Sequence, residues 1–167
     1  EVIDMIRGKT GALLAFSAEC GAMAGLDTPD WTANPVVALS EFASELGYAF
    51  QLCDDLLGVY GDEAKFGKPL CSDFREGKPT VLYLEALERL TESGRAELAA
   101  LMKRPAYAEA DIAKIRSLLE ECGARAAVVR AAEESSDKAM ANLASLPGTK
   151  YRSLLEELAE ELLKRNV

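Results

Sequence analysis

From Leu46 to Tyr60 the chain reads Leu-Gly-Tyr-Ala-Phe-Gln-Leu-Cys-Asp-Asp-Leu-Leu-Gly-Val-Tyr, a stretch that is apolar on nearly every side of a helix. At roughly 100° per residue, Gly47, Gln51, Asp54, Asp55 and Gly58 share one sector of about 100°, and large apolar residues cover the rest. A helix so apolar must be buried, and the chain has to fold around it. Two adjacent carboxylates on a buried helix cannot both stay ionised without a compensating cation, because desolvation and like-charge repulsion act together. A bare Asp-Asp pair is usually a solvated surface feature. Here the apolar flanks predict a metal ion instead. Hard carboxylate oxygens without histidine or clustered thiolate partners suit Mg2+, which keeps part of its shell for water and substrate phosphate.

Apolar residues recur at three-to-four spacing along almost the whole chain, and alternating β-branched runs are absent, so the predicted fold class is all-α. The first helix is expected from Val2 to about Ala24, with a small-residue section that permits close helix contact. Asn34-Pro35 reads as an N-cap followed by proline at the first helical position of a long helix reaching about Tyr60. Gly61 to Asp73 breaks the helical pattern, and Asp73 with Glu76 resembles a capping pair. Further helices are expected from Pro79 to about Glu92, and near Gly94–Lys103, Glu109–Cys122, Ala124–Leu146 and Lys150–Arg165. Residues 1–167 read as a single helical domain.

Composition removes several functions. The chain has no histidine, and Cys20, Cys53, Cys71 and Cys122 form no Cys-x-x-Cys pair, so zinc sites and histidine catalysis are not expected. Unclustered cysteines in an acidic, Ala- and Leu-rich chain fit a reducing cytoplasm. A net charge of −9 argues against nucleic acid or an anionic membrane surface as partner, and no segment is long enough to span a membrane. An anionic substrate therefore needs locally placed cations. Lys65, Lys68, Arg75 and Lys78 follow the Asp-Asp helix and can neutralise phosphate oxygens; a polar surface loop is the alternative. Lys9-Thr10 is a further candidate, with a lysine snorkelling to solvent as the plain reading.

Phe50-Gln51-x-x-Asp54-Asp55, Gly67-Lys68, Ser72-Asp73-Phe-Arg-Glu-Gly-Lys78 and the upstream Lys9-Thr10 occur in one order and spacing. In these motifs the chain resembles the carboxyl-terminal half of a trans-isoprenyl diphosphate synthase, of the polyprenyl synthetase family, with geranylgeranyl diphosphate synthases among its members. The resemblance implies an isoprenoid synthase helical bundle around a central cavity and Mg2+ as cofactor. It also implies an allylic prenyl diphosphate and isopentenyl diphosphate as substrates, and a homodimer in the complete enzyme. Carried over by position, Asp54 and Asp55 would be metal ligands, and Lys9, Lys68 and Lys78 would contact the allylic diphosphate. Thr10 and Gln51 would stabilise an allylic cation, with Asp73 supporting from behind.

The chain departs from the family pattern in three places. Gly58 stands where a third aspartate is usual, and Cys71 where glycine is frequent. The family's first aspartate-rich motif and isopentenyl diphosphate site are absent, and the chain starts at Glu1 rather than Met, so a fragment lacking its upstream half and inactive alone is expected. A non-catalytic helical subunit that kept the fold is the alternative, and retention of the motif lysines and aspartates speaks against it. A terpene cyclase relative ranks last, because the Asn, Ser or Thr and Glu metal triplet of that family does not occur.

Overall fold

The computed structural model describes residues 2–63, 67 and 69–164. Among these residues every regular element is a helix, as the periodicity predicts. None of them is long and apolar enough to cross a membrane.

The chain opens as α1 (Val2–Ile6), passes through one π-helical turn (Arg7–Gly11) and continues as α2 (Ala12–Leu26). The expected uninterrupted first helix is corrected at this turn, where the Ala12 N–H donates to Arg7 O, five residues back. Gly8 and Gly11 carry no Cβ to crowd the widened turn. The long helix α3 (Asn34–Tyr60) follows. Its first bonds run from the Val36 and Val37 N–H groups to Ala33 O, at 2.9 and 3.1 Å. Asn34 thus lies inside the first turn rather than capping it from outside.

The remaining helices are α4 (Ser72–Glu76), α5 (Val81–Arg89), α6 (Glu92–Leu101), α7 (Glu109–Glu121), α8 (Ala124–Ala144) and α9 (Lys150–Lys164). Helix α4 replaces the expected capping pair. Asp73 sits within its first turn, and the position before it is Cys71 with φ of 57° and no side-chain cap bond. The expected helix to Glu92 ends instead at Arg89. Thr91 starts α6 there, its hydroxyl accepting from the Gly94 N–H.

The chain forms two compact units, Ile3–Gln51 with the described residues of Ala131–Arg165, and Leu52–Arg130. In the first, Phe42, Ala43 and Leu46 of α3 pack with Ala139 and Leu143 of α8 and Ala159 of α9. Helix α3 also crosses the π turn closely. A Cβ on Gly47 would stand 3.0 Å from Gly11 Cα, so the close approach of the two backbones depends on glycine at position 47. In the second unit α5 and α6 both pack on α7. Leu52, Leu82, Leu98, Ile115, Leu119 and Val128, drawn from α3 and α5–α8, are completely buried there. Burial of each leucine or isoleucine contributes about 1.5–3 kcal/mol.

Candidate active site

Adjacent residues on a helix point about 100° apart, and α3 uses that angle to give its two aspartates different surroundings. Asp54 is exposed. Asp55 is 5% exposed, and its Oδ2 accepts a hydrogen bond from the Val81 N–H at 3.1 Å. Val81 begins α5, whose first N–H groups have no partner within the helix. Two side chains take them: Asp55 serves Val81, and the Thr80 hydroxyl accepts from the Tyr83 N–H at 3.2 Å. The expected pair of carboxylates in one buried place is thereby corrected. Only Asp55 is buried, and a helix N-terminus compensates it.

One turn after Asp54, Gly58 leaves its side of α3 bare. A Cβ built there would lie 3.4 Å from Asp73 Oδ2. The carboxylate of Asp73 thus occupies the ground beside the position where a third aspartate is usual, and it reaches that ground from α4. The geometry of the intervening turn follows from the backbone. The Cys71 N–H donates to Gly58 O at 2.7 Å, fixing the start of α4 against the end of α3.

Asp73 Oδ1 also receives the Lys78 ammonium at 3.0 Å, and Glu76 Oε2 receives it at 2.7 Å. Glu76, then Asp73, hold Lys78 above the ordinary lysine range. The Lys78 side chain is 55% exposed, so these pairs are worth about 0–1 kcal/mol and can be exchanged for another anion. Glu76 had no place among the predicted site residues. Its spacing of two from Lys78 gives no helical signal, because the chain turns at Gly77 (φ 69°) between them. Lys65 and Lys68 lie outside the described residues.

The first unit holds the other candidates. Lys9 is exposed and Thr10 half-buried, both within the π turn, a feature that recurs at functional sites. Their neighbours are pinned to α3. The Arg7 Nη1 donates to Glu45 Oε1 at 2.8 Å, and its guanidinium lies 4.7 Å from the centre of the Tyr48 ring. Burial opposes ionisation of Glu45, but hydrogen bonds from Arg7 and Ser135 and the charges of Arg7 and Lys138 together outweigh it and hold the carboxyl below the usual glutamate range. Gln51 is half-buried on α3.

A metal ion would find Asp54 and Asp73 as oxygen donors on this side of α3. Among the described residues no group of three or more His, Cys, Asp or Glu side chains is assembled to hold a metal. A hard ion that completes its shell with water and substrate oxygens fits such a set, and an ion needing a full protein cage does not.

Comparison with known proteins gives the family. The polyprenyl synthetase family matches residues 1–119. A geranylgeranyl diphosphate synthase of Saccharolobus solfataricus is 34% identical over 147 residues, 88% of this chain and 43% of that protein. The crystal structure of geranylgeranyl pyrophosphate synthetase from Pyrococcus horikoshii superposes with a TM-score of 0.86 at 33% identity, covering 97% of this chain and 48% of that one. A geranylgeranyl pyrophosphate synthase from Corynebacterium glutamicum, complexed with isoprenyl diphosphate and magnesium, superposes at 0.73 with 33% identity over 80% of this chain and 38% of that one. The chain spans about half the length of the relatives it matches, 49% in the case of a short chain isoprenyl diphosphate synthase from Methanothermobacter thermautotrophicus. By its helical architecture and the family match over residues 1–119, the chain belongs to the polyprenyl synthetase family.

Proposed function

We propose that this chain is the carboxyl-terminal half of a prenyltransferase that joins an allylic prenyl diphosphate to isopentenyl diphosphate, with Mg2+ as cofactor. The observation that carries the reading is the exposed Asp54 carboxylate with Asp73 seated against Gly58 one turn along the same helix. Carboxylates so placed hold a hard cation while leaving most of its shell to a diphosphate. Bound there, Mg2+ would supply charge stabilisation to the departing diphosphate.

In this reading Asp54 contacts the ion directly. Asp55 was paired with it as a ligand on sequence grounds, but with Oδ2 on the Val81 N–H its part is to hold α5 in place. Asp73 supports the site and keeps Lys78 beside it. Lys78, half-exposed, exchanges its carboxylate partners for phosphate oxygens, and Lys9 and Lys68 add positive charge to the same group. Thr10 and Gln51 offer oxygen dipoles to the allylic cation left when the carbon–oxygen bond breaks. The double bond of isopentenyl diphosphate then attacks that cation, and loss of a proton restores neutrality in a chain one isoprenoid unit longer.

The test is an assay of the full-length protein with labelled isopentenyl diphosphate and allylic diphosphates of several lengths, with Mg2+ and with excess chelator. Elongated product that requires the metal and is lost by orders of magnitude in Asp54→Ala supports the reading. Elongation by Asp54→Ala at the normal rate overturns it.

A further inference from the structure

A helix leaves its last carbonyls without partners in its own backbone, and α3 ends beside the proposed metal ligand. Its final turn is closed from three directions. Leu57 O accepts from the Gly61 N–H at 2.9 Å, and Gly58 O accepts from the Cys71 N–H at 2.7 Å. Val59 O is taken by Arg116 of α7, which donates both Nε, at 2.9 Å, and Nη2, at 2.7 Å, to the same oxygen. Charge-assisted bonds of this kind are about twice as strong as neutral ones, and a cation at a helix C-terminus also complements the dipole. The same guanidinium lies 5.7 Å from the centre of the Tyr60 ring, and that of Arg125 lies 4.4 Å from it. Arg116 also shares a cavity wall with Leu70, the residue just before Cys71 and the start of the helix that carries Asp73. Arg116 thus stands where the end of α3 and the beginning of α4 meet.

We propose that Arg116 is a positioning residue that fixes the last turn of α3 against the start of α4, and so sets Asp54 relative to Asp73. Its neighbours Ile115 and Leu119 are completely buried and hold its helix in the core, which makes α7 a rigid base for the contact. The consequence for metal binding rests on the prenyltransferase reading, whereas the structural half of the proposal stands without it.

The experiment compares Arg116→Lys, which keeps the charge but not the two-pronged donor, with Arg116→Met in the full-length protein. Amide hydrogen exchange is measured at Cys71, Gly61 and, as a distant control, Leu155 of α9. In Arg116→Met, exchange at Cys71 and Gly61 should rise about tenfold, the equivalent of losing a hydrogen bond, with Leu155 unchanged. The Mg2+ concentration giving half-maximal rate should rise by a similar factor, more than kcat falls, and Arg116→Lys should lie between methionine and arginine on both measures. Unchanged exchange at Cys71, or a rise of equal size at Leu155, overturns the proposal. So does a lysine variant no better than methionine. If the parent protein shows no Mg2+-dependent prenyl transfer, the functional reading falls, while the exchange data still decide the role of Arg116.

Discussion

Asp54 and Asp55 are adjacent in sequence and opposite in circumstance, and substitution separates them. Asp54→Ala removes an exposed carboxylate, so thermal stability should change by no more than about 0.5 kcal/mol while turnover collapses. Asp55→Ala should leave the Val81 N–H buried without an acceptor and cost about 1–3 kcal/mol in chemical denaturation. The opposite pattern would reverse the two roles. Gly58 offers a third comparison. Among the described residues a new Cβ would meet only Asp73 Oδ2, in ordinary contact, so Gly58→Ala should be neutral or stabilise by up to about 1 kcal/mol. Gly58→Asp sets like charges side by side and should be less stable than the alanine variant, with Asp73→Asn removing the difference. Helical periodicity put Gln51, Asp54, Asp55 and Gly58 in one sector of the helix. It could not show what stands opposite each of them, since Val81 comes 26 residues after Asp55.

Single elements depend on contacts of the same non-local kind. Helix α4 was hidden in the sequence because it is short, and because Cys71 opens it at a φ of 57° normally left to glycine. The turn that ends it is more strictly glycine. Gly77 has φ of 69°, and a Cβ there would lie 2.6 Å from Lys103 Cε. Gly77→Ala should cost about 1–2 kcal/mol in equilibrium unfolding, and a variant as stable as the parent would contradict this account of the turn. The π turn was equally invisible, because Gly-Lys-Thr-Gly fits a regular helix, and what pins it is Glu45 on another helix. The pairing gives a signature in pH. Glu45 titrates lower folded than unfolded, so its contribution is present above the ordinary glutamate pKa of about 4.3 and disappears as pH falls through the folded value. Glu45→Gln should therefore be less stable than the parent at neutral pH and approach it under acid. A stability gap that persists unchanged in acid would show that the ion pair is not its source.

At the scale of the whole chain, the unfinished feature is an apolar face on α2. Leu13 is 69% exposed and Phe16 61%, with Leu14 also exposed. The Phe50–Tyr60 stretch, by contrast, is mostly covered, as its apolar sequence requires: Leu52, Cys53, Leu56, Leu57 and Val59 are buried. Contiguous exposed apolar surface drives association. Residues 1–167 alone should therefore sediment as more than a monomer, and Leu13→Ser with Phe16→Ser should shift them toward monomer. The central claim is that these residues form half of a metal-dependent prenyltransferase site. It is tested most directly by assaying labelled isopentenyl diphosphate incorporation with Mg2+ and an allylic diphosphate, for residues 1–167 alone and for the full-length protein. The account predicts no product from residues 1–167 and metal-dependent elongation by the full-length protein; elongation by residues 1–167 unaided, or none by the full-length protein under any metal, would contradict it.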